Sequence, residues 1–236
     1  MKRVLQALAG TLLALTAAGA EPPKPDLSGV WLPIAKDSGR WPAQPPFTAA
    51  FAATRSRWNQ LYSPIDVTRD DEYISCMPYT LPQIVSAITQ YPFEIVQTSS
   101  QILVLTEVFG QVRRIHMDAA PPGDRLPTHT GFSRGHWEGT QLVVETTHIL
   151  PQHEGSRFPG SPAMRIVERL SLQQGGPTGR ELIDEVTVTD PQVYSQPFSF
   201  RMVYKWARDI EVGEYICEQD LWDQHRDGNA SKIPWR

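Results

Sequence analysis

From Phe93 onward, apolar and polar residues alternate with a period of two. The runs that carry this pattern are FEIVQT, QILVLTEV, QVRRIHMD, HWEGTQLVVETTHIL, MRIVERLSLQ, ELIDEVTVTD and FSFRMVYKWA. Between them stand breaks at Gly110, Pro121-Pro122-Gly123, Gly139, Gly175-Gly176-Pro177 and Pro191. Strands at this spacing without intervening helices predict an all-β fold, an antiparallel meander closed or curled into a barrel. The period differs in the first third. Phe47, Phe51, Trp58 and Leu61 recur at near-helical spacing within FTAAFAATRSRWNQLY, which predicts a short N-terminal helix lying across a barrel mouth. IVSAI, between Pro82 and Pro92, reads as a short helix or strand. Gly29-Val30-Trp31 opens a short strand after a Pro-rich stretch.

Composition narrows the setting. Residues 1–20, MKRVLQALAGTLLALTAAGA, have a basic start, an apolar run and small residues Ala18 and Ala20, the pattern of a signal peptide cleaved after Ala20. The expected organisation is a signal peptide (1–20), a Pro-rich entrance segment (21–45) and one barrel-like domain with its helical cover (46–236). The expected location is the periplasm or the exterior. In an oxidising compartment, Cys76 and Cys217 read as a disulfide rather than as ligands or nucleophiles. The 26 acidic residues outnumber the 22 basic ones, and no basic stripe with interleaved aromatics stands out, so no nucleic-acid partner is expected. No later run is long and apolar enough for a membrane span.

Alternation also assigns faces. In FSFRMVYKWA, the residues Phe198, Phe200, Met202, Tyr204 and Trp206 share one face, an inward row suited either to an aromatic ligand or to core packing. Glu168 falls on the apolar face of Met164, Ile166, Leu170 and Leu172. It is either a general acid or base, or a buried acid paired with Arg114 or Arg201. Arg114, His116 and Asp118 share a strand face as cation, imidazole and carboxylate. Facing inward they form a proton shuttle beside an oxyanion-positioning cation; facing outward, as Ile115 and Met117 on the other face suggest, they are a solvated row. The loop PTHTGFSRGHWEG gathers His129 and His136, with His148 at the end of the same hairpin, as groups placed to meet a ligand. Its Gly131-Phe132-Ser133-Arg134-Gly135 matches a hydrolase elbow by letters but lacks the strand–turn–helix context that the elbow needs. No dedicated metal spacing is present among the histidines, and no metal is expected.

The Gly29-x-Trp31 spacing resembles the entrance strand of lipocalin-like barrels, in which the tryptophan plugs the closed end. Across PDLSGVW, Cys76-x-Pro78, PFEIVQT, RRI, the G-x-S-x-G-x-WEG-x-x-LVVET block, VERL, DPQVYSQPF and EYICEQ, the chain resembles an uncharacterised family of exported bacterial proteins. The resemblance spans nearly all of the chain after residue 20 and implies a lipocalin- or calycin-like barrel and export. It brings no activity. His129 and His148 depart from that family's pattern, which has an aromatic and a Gly at those places.

The combined expectation is a cofactor-independent lyase or isomerase of a small aromatic, plant-phenolic compound. In it His116 or His129 moves a proton, Glu168 is the complementary acid or base, and Arg114 with Tyr204 stabilises an oxyanion. Phe198, Phe200, Met202, Trp206, His136 and His148 would line the ligand. Two alternatives stay open: a non-catalytic carrier of hydrophobic aromatic ligands in the same cavity, and a metal-assisted hydrolase built on clustered histidines.

Overall fold

Nine strands close into a barrel in chain order. They are β1 (Gly29–Pro33), β2 (Phe93–Gln97), β3 (Gln101–Thr106), β4 (Val112–Met117), β5 (Phe132–Glu138), β6 (Gln141–Thr147), β7 (Arg165–Gln174), β8 (Arg180–Thr189) and β9 (Phe198–Trp206). Among the described residues two helices, α1 (Ala49–Tyr62) and α2 (Gln83–Ser86), precede β2. This computed structural model describes residues 22–39, 41–62, 78–86, 91–120, 123–175 and 179–216. The signal segment and both cysteines of the expected disulfide, Cys76 and Cys217, lie outside the described residues. Within the described residues no helix is long and apolar enough to cross a membrane.

The barrel closes where β1 meets β9, with Trp31 opposite Trp206. Every neighbouring pair is antiparallel except β4 and β5, which run parallel with Ile115 opposite Ser133. A pure meander is therefore corrected at one place. A parallel neighbour needs a connection of about a dozen residues or more. The chain between β4 and β5 is long enough for it, and there the Arg125 guanidinium sits 4.6 Å from the Phe132 ring centroid.

Period-two alternation puts β-branched and aromatic side chains on the inner face, and these form one buried core. It includes Ile95, Ile102, Ile115, Leu142, Val144, Ile166, Leu182, Val186, Phe200 and Met202. Phe198 and Trp206 are partly buried against this core and Tyr204 is buried, so the row expected to face inward on β9 does so.

One end is sealed by the entrance segment. Trp31 is fully buried and donates its indole N–H to Leu27 O at 3.0 Å. Arg180 lies over the Trp206 ring at 4.6 Å and over the Trp31 ring at 5.7 Å from their centroids. At the other end, Trp41 packs edge-on against Phe158 and Phe198 at 5.0 and 4.8 Å between ring centroids. The segment 78–86 carries Leu81 and Ile84 into the same core. Helix α1 flanks these loops rather than the wall: Arg55 donates to the carbonyls of Glu154 and Ser156, and the Trp58 ring lies tilted against His153 at 5.0 Å between centroids.

Where the return loop enters β5, Gly131 adopts φ +64°, and a Cβ there would stand 2.7 Å from Thr147 O and 2.7 Å from Thr146 Cγ2. Backbone cannot yield as a flexible side chain can, and an L-residue at this φ is itself strained. Gly131→Ala should therefore destabilise the barrel by about 2 kcal/mol or more, read as a lowered urea midpoint with an unchanged slope.

Candidate functional site

The barrel interior is not wholly apolar. Six consecutive strands each send one polar group inward: Arg113 from β4, Ser133 from β5, Thr146 from β6, Glu168 from β7, Asp184 from β8 and Tyr204 from β9. All are buried, with 0 to 5% exposure. The register explains why they meet. Ser133 is opposite Thr146, and each further step around the wall, to Glu168, Asp184 and Tyr204, moves two residues along the strand in the same direction. Tilted strands in a closed barrel carry such a stagger, so groups offset in register share one level.

Arg113 holds this belt together. Its Nη1 donates to Glu168 Oε1 at 2.8 Å and its Nη2 to Glu168 Oε2, a bidentate pair. Its Nε donates to Ser133 Oγ at 3.0 Å, and Nη2 also to Thr146 Oγ1 at 2.8 Å. The two hydroxyl oxygens are 2.8 Å apart. Burial opposes the guanidinium charge, but the field and hydrogen bonds of Glu168, then Asp184, more than restore it, so the Arg113 pKa is raised.

Asp184 is the second acid in this dry space. Burial, and then the charge of Glu168, push its carboxyl well above the ordinary value of 3.8, with Arg113 pulling the other way. Its Oδ1 is buried with no donor among the described residues directed at it. A proton on this carboxyl relieves the repulsion between the two acids, because Asp184 can then donate toward Glu168, one of the causes that raise its pKa. The Tyr204 phenol is likewise pushed well above 10 by burial, then by Asp184 and Glu168. Its hydroxyl donates to Val85 O in the covering segment at a long 3.5 Å. Rings complete the wall here, with Phe93 edge-on to Tyr204 at 4.9 Å.

The expected site residues separate. Glu168 and Tyr204 belong to the belt. Arg114 and His116 do not: they occupy the outer face of β4, where Arg114 donates to Gln101 Oε1 and His116 stacks on Phe132 at 4.9 Å. Partial burial, then the charges of Arg114 and Arg125, lower the His116 pKa. The buried partner of Glu168 is therefore Arg113, not Arg114 or Arg201, because Arg113 shares the inner face with Ile115.

His129 is at the covered end. Its Nδ1 is 2.7 Å from Thr80 Oγ1, its carbonyl accepts from Leu81 N at 3.0 Å, and burial lowers its pKa. Gln152 Nε2 donates to the same Thr80 hydroxyl at 3.1 Å, so three segments are tied there. His136 is on the outer face beside Glu138, and His148, at φ +53°, contacts the Thr147 hydroxyl at 3.0 Å. Among the described residues no group of three or more His, Cys, Asp or Glu side chains could hold a metal.

Arg113, Ser133, Thr146 and Asp184 were absent from the expected site. Asp184 shares a strand face with Leu182, Val186 and Val188, the same sign that singled out Glu168. No protein-family model matches the chain, and no curated protein matches it in sequence.

Two outcomes follow from the burial of these charges. Arg113→Met leaves Glu168 without its counter-ion and should cost about 3–5 kcal/mol, while the paired Arg113→Met, Glu168→Leu replacement should cost clearly less, both read from urea unfolding. For Asp184 the sign is as follows. In the unfolded chain it ionises near 3.8, but the barrel keeps its proton to higher pH. Over that interval the native state binds more protons, so this group's contribution to stability falls as pH rises and is harmless below it. Asp184→Asn should therefore gain on the native protein as pH increases from about 4 to about 7, in denaturation midpoints measured across that range.

Proposed function

We propose that this barrel is a cofactor-independent acid–base enzyme, a lyase or isomerase acting on a small aromatic compound of plant-phenolic, lignin-derived type. The observation that carries the reading is the Asp184–Glu168 pair. One carboxyl is held in its acid form by burial, hydrogen-bonded to a second that is anchored by Arg113. Two acids whose surroundings separate their proton affinities are the arrangement from which a general acid and a general base are drawn. The rings of Phe93, Phe200 and Tyr204 give the same space an aromatic wall.

In an elimination on this pair, Glu168 takes a proton from the carbon next to the oxygenated one. The C–H electrons form the new double bond, and the C–O bond breaks as Asp184 delivers its proton to the departing oxygen. The two carboxyls are then each in the other's protonation state. Transfer of the proton from Glu168 back to Asp184 along their hydrogen bond restores the pair. Tyr204, whose contact with Val85 O is long, is a donor that can turn toward the oxygen as it gains charge. Admission of a substrate requires residues 78–86 to move, since they cover this end of the core.

A second reading, a carrier without turnover, is favoured by the completeness of the Arg113–Glu168 pairing, which leaves neither charge exposed to a ligand. The two are separated by incubating the purified protein, without added cofactor, with phenolic dimers and related aromatics, followed by mass-resolved chromatography. The enzyme reading expects a new product whose rate falls at least about a hundredfold in Asp184→Asn and in Glu168→Gln. Compounds that raise the melting temperature but remain unchanged would leave the carrier.

A further inference from the structure

The outside of the barrel differs in character from one side to the other. On β7, β8 and β9 the outward positions carry Arg165, Arg169, Glu185, Arg201 and Lys205. The outward positions of β2, β3 and β4 are instead Glu94 and Val96, Leu103 and Leu105, and Val112 and Arg114. Val96 and Val112 are 38% and 50% exposed, and the two leucines are half-buried. Four apolar side chains in one block, rimmed by charge, are the composition of a contact surface.

The register fixes the layout of this face. Val96 is opposite Leu103, which is opposite Arg114; Glu94 is opposite Leu105, which is opposite Val112. Two short rows result, Val96–Leu103–Arg114 and Glu94–Leu105–Val112. Acid and base therefore stand at opposite corners, with the apolar side chains between them. Both charges have capacity for a further partner. Among the described residues the Glu94 carboxylate has no hydrogen-bond or ion-pair partner. Arg114 is exposed and donates through Nη1 to Gln101 Oε1, which leaves the rest of its guanidinium open.

We propose that this face pairs with the same face of a second copy of the chain. A two-fold axis lying in the contact plane, through the centre of the block and across the line from Glu94 to Arg114, sets Glu94 on the partner's Arg114. Symmetry makes the same contact a second time. The valines and leucines of the two copies then cover one another between the two ion pairs. A second copy supplies this charge pattern by symmetry, which is the argument for it over a partner of another sequence. Six side chains on a convex wall fall well short of the roughly 20–30 residues a side of a standard interface, so the dimer is weak and concentration-dependent. The pairing leaves the interior untouched and stands or falls separately from the proposed function.

Sedimentation velocity of the purified protein from about 10 µM to about 1 mM should show a monomer–dimer equilibrium. Glu94→Arg and Arg114→Glu each set like charges against one another at both contacts, and each should weaken dimerisation at least about tenfold. Mixing the two single variants opposes two arginines to two glutamates. That mixture should form a heterodimer within about threefold of the native strength, and the double variant Glu94→Arg, Arg114→Glu should recover likewise. Should one single variant fail to fold by circular dichroism, the native protein and the other single variant still decide.

A native protein that stays monomeric to about 1 mM overturns the inference. A dimer that neither reversal weakens overturns it as well, since the contact then lies on another surface. Loss in both single variants without recovery in the mixture or in the double variant overturns the pairing of Glu94 with the partner's Arg114.

Discussion

The ion pair between Arg113 and Glu168 is the constraint on which the interior depends. Neither partner can be in an apolar barrel alone, since an isolated charge there costs several kcal/mol even after relaxation. Their bidentate contact spans the inner wall between β4 and β7. Ser133 and Thr146, on the two strands between, accept from its Nε and Nη2. Four neighbouring strands are thereby held in one register by directed bonds, in a region where apolar packing alone tolerates slippage. A one-residue slip in any of them would place its polar group outside and leave the others unpaired.

The same pair sets the state of what surrounds it. With Arg113 committed to Glu168, Asp184 has no cation of its own, and it relieves the excess of negative charge by keeping a proton. Tyr204 follows, its phenol held neutral by burial and by the two acids. The interior thus becomes a sequence of donors and acceptors with one cation, one anion and otherwise neutral groups. That balance gives the belt both its structural and its chemical possibilities: the paired charges stiffen the wall, and a carboxyl whose pKa is raised well above the ordinary value holds its proton to higher pH than a free acid does.

The barrel and its contents were unequally legible in the sequence. Strict alternation along β7 and β9 placed Glu168 and the ring-bearing row of Phe200, Met202 and Tyr204 on the inner face, where they are. The run QVRRIHMD was harder because it is polar on both faces at its centre, with Arg113 and Arg114 adjacent. Alternation alone does not say which arginine is inside. The parallel pairing of β4 and β5 escaped because Pro121-Pro122-Gly123 reads as a tight turn, although the stretch from 118 to 131 is long enough to run the height of the wall. The contact of Ser133 with Thr146 had no sequence signal, since it depends on two strands meeting in one register.

Arg113 could nevertheless have been found, by an argument that combines strands instead of reading them singly. Glu168 and Asp184 each interrupt an otherwise apolar face, Ile166-x-Glu168-x-Leu170 on one strand and Leu182-x-Asp184-x-Val186 on the next. Two acids facing one dry interior need a cation there or must both be neutral. Among the strand runs, the arginine that shares a face with apolar residues on both later positions is Arg113, with Ile115 and Met117. The arginine whose face-mates are His116 and Asp118 is satisfied by solvent. Charge balance across strands therefore assigns the face that periodicity within one strand leaves open, because the interior is closed and its charges must be compensated by one another.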